Sequence, residues 1–328
     1  MKIITLALNP AIDRTMYFPD VKIGALNRAS AKAVINVGGK GITNAFVFKT
    51  LGIDVMCLGF WGGNNGQLIL QEFKKEKVDF NNDMTQCETR MNIKIISENN
   101  EPTEFNESGG PILPEERELI LNRIKDALQN GAEYFFMGGS VPAGIEKSFY
   151  RDILNLGDYT KFILDCDGEA LKLCMENKKK PYMIKPNQFE LEQFCGKKFD
   201  LDNNFENELE RIKWEAKKIY DETGVIVLCT LGGYGGVYCG GEGIYYINAP
   251  KVELKGFTGA GDTFLSAFCA VYFRLFNLPE GNGAEIALKF AVAASAAKVK
   301  KPGTEFSDIS EIFELAREYK ILEAPEYI

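Results

Sequence analysis

The tetrad Gly259-Ala260-Gly261-Asp262 stands directly before the apolar run Thr263–Phe276. Glycines let backbone amides approach a ligand closely, and a helix start offers unpaired N–H groups at the positive end of its dipole. Together these make an anion site. A carboxylate one residue beyond it could accept a proton from a hydroxyl attacking a phosphorus atom held there. The same four residues also fit a plain chain turn with an acidic helix start.

A second glycine loop, Gly38-Gly39-Lys40-Gly41, also precedes a helical stretch. Lys40 would add a point charge for a phosphate, although the GxxxxGK[ST] spacing of a Walker A loop is absent. Lys185-Pro186-Asn187-Gln188-Phe189-Glu190 follows a short strand. Asn187 and Glu190 could share a magnesium shell, directly or through water, or simply form an N-terminal cap with an acidic first turn. Asp13 follows Asn9-Pro10 at the end of the first apolar strand, where open α/β sheets bind ligands. It could accept two sugar hydroxyls, or serve only as a turn residue. Arg28 and Arg90 fall on short strands and would either fork a phosphate or stay solvated.

Composition narrows the chemistry further. The 328 residues contain no histidine, so histidine-based nucleophile triads and His-ligated zinc sites are excluded. Any general base must be a carboxylate, lysine, tyrosine or cysteine. The net charge of −8 argues against a nucleic-acid partner, whose binding rests on phosphate neutralisation. The 8 cysteines form no CxxC pair and mostly lie in apolar runs, as expected of reduced thiols in a cytoplasmic protein. Ile3–Leu8 is too short for a signal-peptide core, and no window approaches the ~18 apolar residues of a membrane helix.

The elements that must position these residues alternate. Strands are expected at Ile3–Leu8, Ile53–Phe60, Tyr134–Met137, Phe162–Leu164, Tyr182–Ile184 and Val225–Cys229. Helices are expected at Ile42–Leu51, from Gln67 to about Lys75, Pro114–Asn130, Leu209–Glu222, Phe264–Phe276 and Ala284–Val299. This alternation predicts an α/β fold with a mainly parallel sheet. Two stretches break it. Met16–Phe18 with Ala29–Val37, and Met91–Ile96 with Pro102–Phe105 around the turn Ser97-Glu98-Asn99-Asn100, predict a small antiparallel sheet inserted into a single domain spanning 1–328. The inserted parts run over about 14–37 and 89–108.

Further blocks occur in order along the chain. They are Leu8-Asn9-Pro10-Ala11-Ile12-Asp13, Asn27-Arg28-Ala29, Gly59-Phe60-Trp61-Gly62-Gly63, Thr89-Arg90-Met91-Asn92, Gly139-Ser140-Val141-Pro142, Leu231-Gly232 with Gly235, and Pro302-Gly303-Thr304. With the three loops above, this ordered set resembles the ribokinase-type (PfkB) carbohydrate kinases, in the branch acting on sugar phosphates. The resemblance implies a ribokinase-like Rossmann-type sheet with a β lid over the sugar, and a homodimer formed through that lid. It implies ATP- and Mg2+-dependent phosphorylation of a ketohexose monophosphate, foremost fructose 1-phosphate giving fructose 1,6-bisphosphate. Tagatose 6-phosphate or fructose 6-phosphate are the other substrates it leaves open, and a weakly catalytic sugar-phosphate sensor is the alternative of another class. By the same resemblance Asp262 is the base, and Gly259, Ala260 and Gly261 form the anion hole. Asp13, Gly38, Gly39, Lys40, Asn44 and Ser140 would surround the sugar, with Arg28, Arg90 and Lys40 on its phosphate. Lys185, Asn187, Thr230, Gly232 and Gly235 would lie along the nucleotide, and Glu190 would reach magnesium through water. Two positions depart from the pattern. Thr43 stands where the family usually has asparagine, with Asn44 one residue later and turned by about 100° on a helix. Phe257 stands where a small polar residue is usual.

Overall fold

The computed structural model describes residues 2–97, 100–256, 258–301 and 307–322. In chain order its first elements are β1 (Ile3–Ala7), β2 (Ala11–Phe18), β3 (Val34–Gly38), α1 (Lys40–Thr50), β4 (Val55–Gly59), β5 (Trp61–Gly62), α2 (Gly63–Glu76), β6 (Asp79–Phe80), β7 (Met84–Thr85), β8 (Arg90–Ser97), β9 (Asn100–Asn106) and α3 (Pro114–Gln129). There follow β10 (Tyr134–Gly138), α4 (Phe149–Leu154), β11 (Lys161–Asp165), α5 (Gly168–Glu176), β12 (Met183–Ile184), α6 (Gln188–Cys195), α7 (Leu201–Thr223), β13 (Ile226–Thr230), β14 (Gly236–Gly240), β15 (Gly243–Ile247), α8 (Ala260–Tyr272), α9 (Ala284–Val299) and α10 (Ile309–Glu318).

The main sheet runs β15-β14-β13-β12-β11-β10-β1-β4-β6. From β6 to β13 its pairs are parallel, and β14 and β15 add an antiparallel edge. Every residue of β1 and β10 is buried, which is why these strands read as unbroken apolar runs: helices cover both faces. One face packs under α1, α2, α8, α9 and α10, the other under α3 to α7. After β1 the chain first builds β4 on one side and then β10 on the other. That reversal opens a crevice at the carboxyl ends of the central strands.

Close approach sets how α1 meets the sheet. A side chain at Gly41 would overlap the Leu6 carbonyl, so only glycine lets the first turn of α1 rest on β1. α8 and α9 pack closely because α9 presents Ala287, Ala291, Ala294 and their neighbours, buried around almost its whole circumference.

The inserted sheet has the order β3-β2-β8-β9. Its outer pairs are antiparallel, as expected, while its central pair β2–β8 is parallel. Its strands depart from the expected limits. β2 starts at Ala11, so Asp13 lies within a strand and not in a turn. β3 starts only at Val34, because β2 pairs with it from Ala11 to Thr15 and no further. Arg28 therefore stands in the loop before β3 and not on a strand. Glu98 and Asn99 of the expected turn lie outside the described residues.

Helix starts also differ, each for a local reason. α2 begins at Gly63, four residues early, since Glu88 accepts from the amides of Asn64 (3.3 Å) and Asn65 (2.6 Å) and caps the helix from outside. α7 begins at Leu201, capped by Asp200, and bends at Asn204 before the expected segment. α8 begins at Ala260, which puts Asp262 in its first turn. Among the described residues no helix is long and apolar enough to cross a membrane.

Gly41→Ala should cost about 1–3 kcal/mol of stability, the usual penalty of overpacking. Gly233→Ala is the control, since nothing lies within 4 Å of its added carbon. Equal urea midpoints for the two variants would show that the α1–β1 approach is not tight.

Candidate active site

Five charged side chains converge at the carboxyl edge of the main sheet. Asp165 ends β11 and is 1% exposed. Lys40, at the start of α1, donates to its Oδ1 at 2.7 Å and to its carbonyl at 3.2 Å. Lys185 follows β12, is 4% exposed, and holds its Nζ 3.3 Å from Asp165 Oδ2. Glu190 Oε1 lies 4.0 Å from Lys40 Nζ on the other side. Burial alone would raise the Asp165 acid, but the charges of Lys185 and Lys40 outweigh it and hold it below the ordinary carboxylate value. Burial likewise works against the Lys40 ammonium, and Asp165, Asp262 and Glu190 more than compensate, so it stays firmly protonated.

Asp262 faces this cluster from the first turn of α8. Gly259 holds φ at +80°, a left-handed turn that suits glycine, and it delivers the chain into the helix. A carbon added at Gly261 would lie 3.5 Å from Lys185 Nζ, so an ammonium stands beside the open amides of the helix start. Burial, and then the Asp165 carboxylate, push the Asp262 acid up to about 6. Lys40, Lys185 and a hydrogen bond from Thr43 pull the other way. The result is an amide-lined anion site carrying a carboxylate that is ionised at neutral pH yet basic enough to take a proton.

The small sheet supplies the other wall. Asn92 Nδ2 donates to Asp13 Oδ1 at 2.8 Å, and Arg90 Nη1 donates to Asn92 Oδ1 at 3.0 Å. Arg90 Nε donates to the Asn9 carbonyl at 3.2 Å, and Asn9 Nδ2 donates to Ser140 Oγ at 2.9 Å. This chain of bonds ties the small sheet to the carboxyl edge of the main one. Burial raises the Asp13 acid, against the Asn92 bond and the Arg90 charge. A side chain at Gly38 would overlap the Asp13 carboxylate, so that glycine leaves room for it, while Gly39 holds φ +118° against Pro10.

The Lys185–Glu190 segment closes the far end. Asn187 caps α6: its side chain accepts from the Glu190 amide at 2.9 Å, and Glu190 Oε2 accepts from the Asn187 amide at 2.8 Å. The capping reading of this pair therefore holds. Glu190 Oε1 faces Lys40 Nζ at 4.0 Å. Thr230 pairs beside Asn187 across the sheet edge. Gly232 opens onto free space, whereas Gly235 is pressed against the backbone of Ile247 and Asn248, so its glycine is required by β15 packing. Among the described residues no group of three or more metal-ligating side chains forms a cage. A magnesium ion here would have to be held mainly by phosphate oxygens and water, and Glu190 is the carboxylate that could hold such a water.

Several expected residues stand elsewhere. Asn44 is 2% exposed and accepts from Ser266 Oγ at 2.9 Å, deep between α1 and α8. One step along the helix turns it away from the site, so it is a core residue and not a sugar ligand. Lys40 is anchored by Asp165, and its stem passes Gly139, where an added carbon would lie 4.0 Å from Lys40 Cγ. Arg28 is exposed and forms no hydrogen bond or ion pair with a described residue. Phe257 and Pro302-Gly303-Thr304 lie outside the described residues. Asp165, Asn92 and Asn9 are organisers that the sequence reading did not select. For Asp165 the available signal was an aspartate closing an apolar strand, the same signal that drew attention to Asp13.

Residues 6–311 match the sequence pattern of the pfkB family carbohydrate kinase. The chain is 31% identical over 315 residues to a 1-phosphofructokinase from Borreliella burgdorferi, covering 94% of this chain and 96% of that protein. The crystal structure of phosphofructokinase-2 from Escherichia coli superimposes with a TM-score of 0.82 at 22% identity, covering 97% of this chain and 99% of that one. A ribokinase from Thermotoga maritima superimposes with a TM-score of 0.74 at 19% identity, over 97% of this chain and 100% of that one. The fold is thus ribokinase-like.

The raised acid of Asp262 has a consequence that needs no substrate. A carboxylate whose folded value exceeds its unfolded value stabilises the fold while protonated, and that contribution is lost as pH rises through the folded value. An aspartate's ordinary value is 3.8 and the folded value here is about 6, so the loss is nearly complete at neutral pH. Asp262→Asn should therefore be more stable than the parent at pH 7.5 by about 1–3 kcal/mol, with the difference vanishing near pH 4. Chemical denaturation at the two pH values measures this, and a less stable variant at pH 7.5 would contradict the electrostatics described.

Proposed function

The chain belongs to the pfkB family of carbohydrate kinases, and from that premise we propose that it transfers the γ-phosphoryl group of ATP to fructose 1-phosphate, giving fructose 1,6-bisphosphate. The observation that carries this reading is Asp262 at the amide-lined start of α8, with Lys185 beside the amides. The Borreliella relative named 1-phosphofructokinase supports the choice of sugar.

In this reading the acceptor hydroxyl lies between Asp262 and the γ-phosphorus. Asp262 takes the hydroxyl proton as the new O–P bond forms, and the bond to the ADP oxygen breaks with its electron pair leaving on ADP. The amides of Gly259, Ala260 and Gly261 receive the charge spread over the transferring oxygens, and Lys185 and Lys40 neutralise part of it. Magnesium, when bound, supplies Lewis-acid neutralisation of the phosphates, with Glu190 holding its water. Asp13 and Asn92 orient sugar hydroxyls, and Arg90 engages the phosphate the sugar already carries. The small sheet keeps water from competing with the sugar for the phosphorus. Eight free cysteines suit a reducing cytoplasm.

The opposite face of the small sheet suits a homodimer. Register puts Arg14, Ile35, Ile93 and Phe105 in one cross-strand row on the face away from Asp13 and Asn92. Ile35 is 54% and Phe105 58% exposed, while Arg14 Nε is buried there without a hydrogen-bond partner among the described residues. A second copy of the sheet would cover this row.

A coupled ADP-release assay with fructose 1-phosphate, fructose 6-phosphate, tagatose 6-phosphate and free fructose tests the reaction. Turnover should be fastest on fructose 1-phosphate and fall by at least about a thousandfold in Asp262→Asn, with ATP affinity retained. Faster turnover on a 6-phosphate would reassign the substrate, and binding without turnover on any sugar would make the protein a sensor. Phe105→Glu should shift the particle to monomer mass in light scattering. An unchanged mass would move the dimer interface away from this face.

A further inference from the structure

Asn92 sits between the two groups that the small sheet offers to a ligand. In the parallel pairing of β2 with β8 it is the direct partner of Asp13. Its Nδ2 donates to Asp13 Oδ1 at 2.8 Å, and its Oδ1 accepts from Arg90 Nη1 at 3.0 Å. Arg90 lies two residues earlier on β8, so the alternation of side chains along a strand puts all three on one face. The orientation of the carboxamide is not free. An ionised carboxylate only accepts and a guanidinium only donates, so the amide nitrogen must face Asp13 and the oxygen must face Arg90. Asparagine satisfies both neighbours at once, whereas an aspartate here could serve only the arginine and a lysine only the aspartate.

The atoms these bonds leave unused belong to the same two groups. Asp13 Oδ2 forms no hydrogen bond with a described residue and lies 2.2 Å from the position of a carbon added at Gly38, over the glycine loop before α1. Arg90 also donates through Nε to the Asn9 carbonyl at 3.2 Å and through Nη1 to the Glu107 carbonyl at 3.0 Å. Its Nη2 forms no hydrogen bond with a described residue. Each group is thus fixed at one end and open at the other. Asn36 and Asn106 complete the cross-strand row on β3 and β9, and neither bonds to Asp13 or Arg90 among the described residues. Lys94 is the next side chain of β8 on this face, and it is paired with Glu104 at 3.0 Å. The hydrogen-bonded link between Asp13 and Arg90 therefore runs through one side chain.

We propose that Asn92 is a positioning residue that sets the spacing between hydroxyl recognition at Asp13 and phosphate recognition at Arg90. The inference rests on the kinase reading above, with the small sheet over the sugar. It adds the consequence that the two contacts are not independent. One carboxamide holds both partners before the sugar arrives, so little ordering is left for binding. Without it the Asp13 carboxylate loses a donor and the Arg90 fork loses an acceptor, and the ligand must order each of them. Asn92 acts through these two partners and takes no part in proton or phosphoryl transfer. Its loss therefore falls on KM for the sugar phosphate and leaves KM for ATP alone.

The test is a set of double-mutant cycles on the sugar phosphate the parent turns over fastest, fructose 1-phosphate in this reading. It compares the parent, Asn92→Ala and Asn92→Asp, and then Asn92→Ala combined with Asp13→Ala or with Arg90→Ala. Asn92→Ala should lower kcat/KM about 10- to 100-fold, mainly through KM, with KM for ATP within about twofold of the parent. Added to Asp13→Ala or to Arg90→Ala, the same change should cost less than about fivefold, since part of what it supports is already gone. Where turnover is too slow to follow, calorimetric affinity for the same sugar phosphate supplies the ratios. Asn92→Asp keeps the shape and the acceptor for Arg90 but sets a carboxylate against Asp13. It should be impaired at least as much as Asn92→Ala, and it serves in its place should Asn92→Ala melt early. Parental KM in both variants overturns the proposal. An undiminished cost in both combined variants overturns it, because Asn92 would then act on the sugar by itself. A cost that shrinks in only one of them overturns the bridging role, leaving Asn92 with a single partner. A parent that turns over no sugar phosphate would instead remove the kinase reading on which the proposal stands, so the two failures are told apart.

Discussion

The buried carboxylate of Asp165 is the charge around which the site is arranged. It ends a strand deep in the sheet edge and has two lysines on it, one from α1 and one from the turn after β12. A lone carboxylate at that depth would be strongly unfavourable, and removing one partner of such a cluster typically costs about 3–5 kcal/mol. The lysines are thus held by electrostatics where a phosphate can use them. Burial raises the neighbouring Asp262 acid, and the same negative charge raises it further.

The geometry around that charge depends on backbones that approach without side chains. Gly41 lets α1 rest on β1, and Gly259 turns the chain into α8. Where α1 and α8 meet, the exposed amides of one helix, Thr43 of the other and the lysine–aspartate cluster face a common point. A helix start is only weakly selective for anions. Selectivity comes from having a base and cations fixed around it before the ligand arrives, so that little reorganisation is left for the reaction itself.

The small sheet carries two different surfaces because side chains alternate along a strand. One face lines the site with Asp13, Asn92 and Arg90, joined through Asn9 to the main sheet. The other is apolar around an arginine whose Nε has no hydrogen-bond partner among the described residues. Whatever covers the second face also steadies the first, since both belong to the same four strands. The parallel β2–β8 pairing at its centre follows from the path of the chain: both strands leave the main sheet in the same direction, and each returns through an antiparallel neighbour.

Much of this was determined by local sequence. Unbroken apolar strands alternating with helices required a mainly parallel sheet, because only strands covered on both faces are apolar throughout. Gly259-Ala260-Gly261-Asp262 announced an amide-lined helix start with a carboxylate in it, since glycine conformation and helix-end chemistry are properties of a few adjacent residues. Asn187 and Glu190 likewise form their cap from a local pattern. Tertiary structure decided what depends on distant partners. That Lys40 serves Asp165, that Asn44 turns to Ser266, that Glu88 starts α2 early and that Arg28 falls on a loop could not be read from neighbours in the chain. Each depends on which residue, tens or hundreds of positions away, is brought within a few ångströms. Burial and Coulomb interactions act over that distance in space and are blind to separation along the sequence.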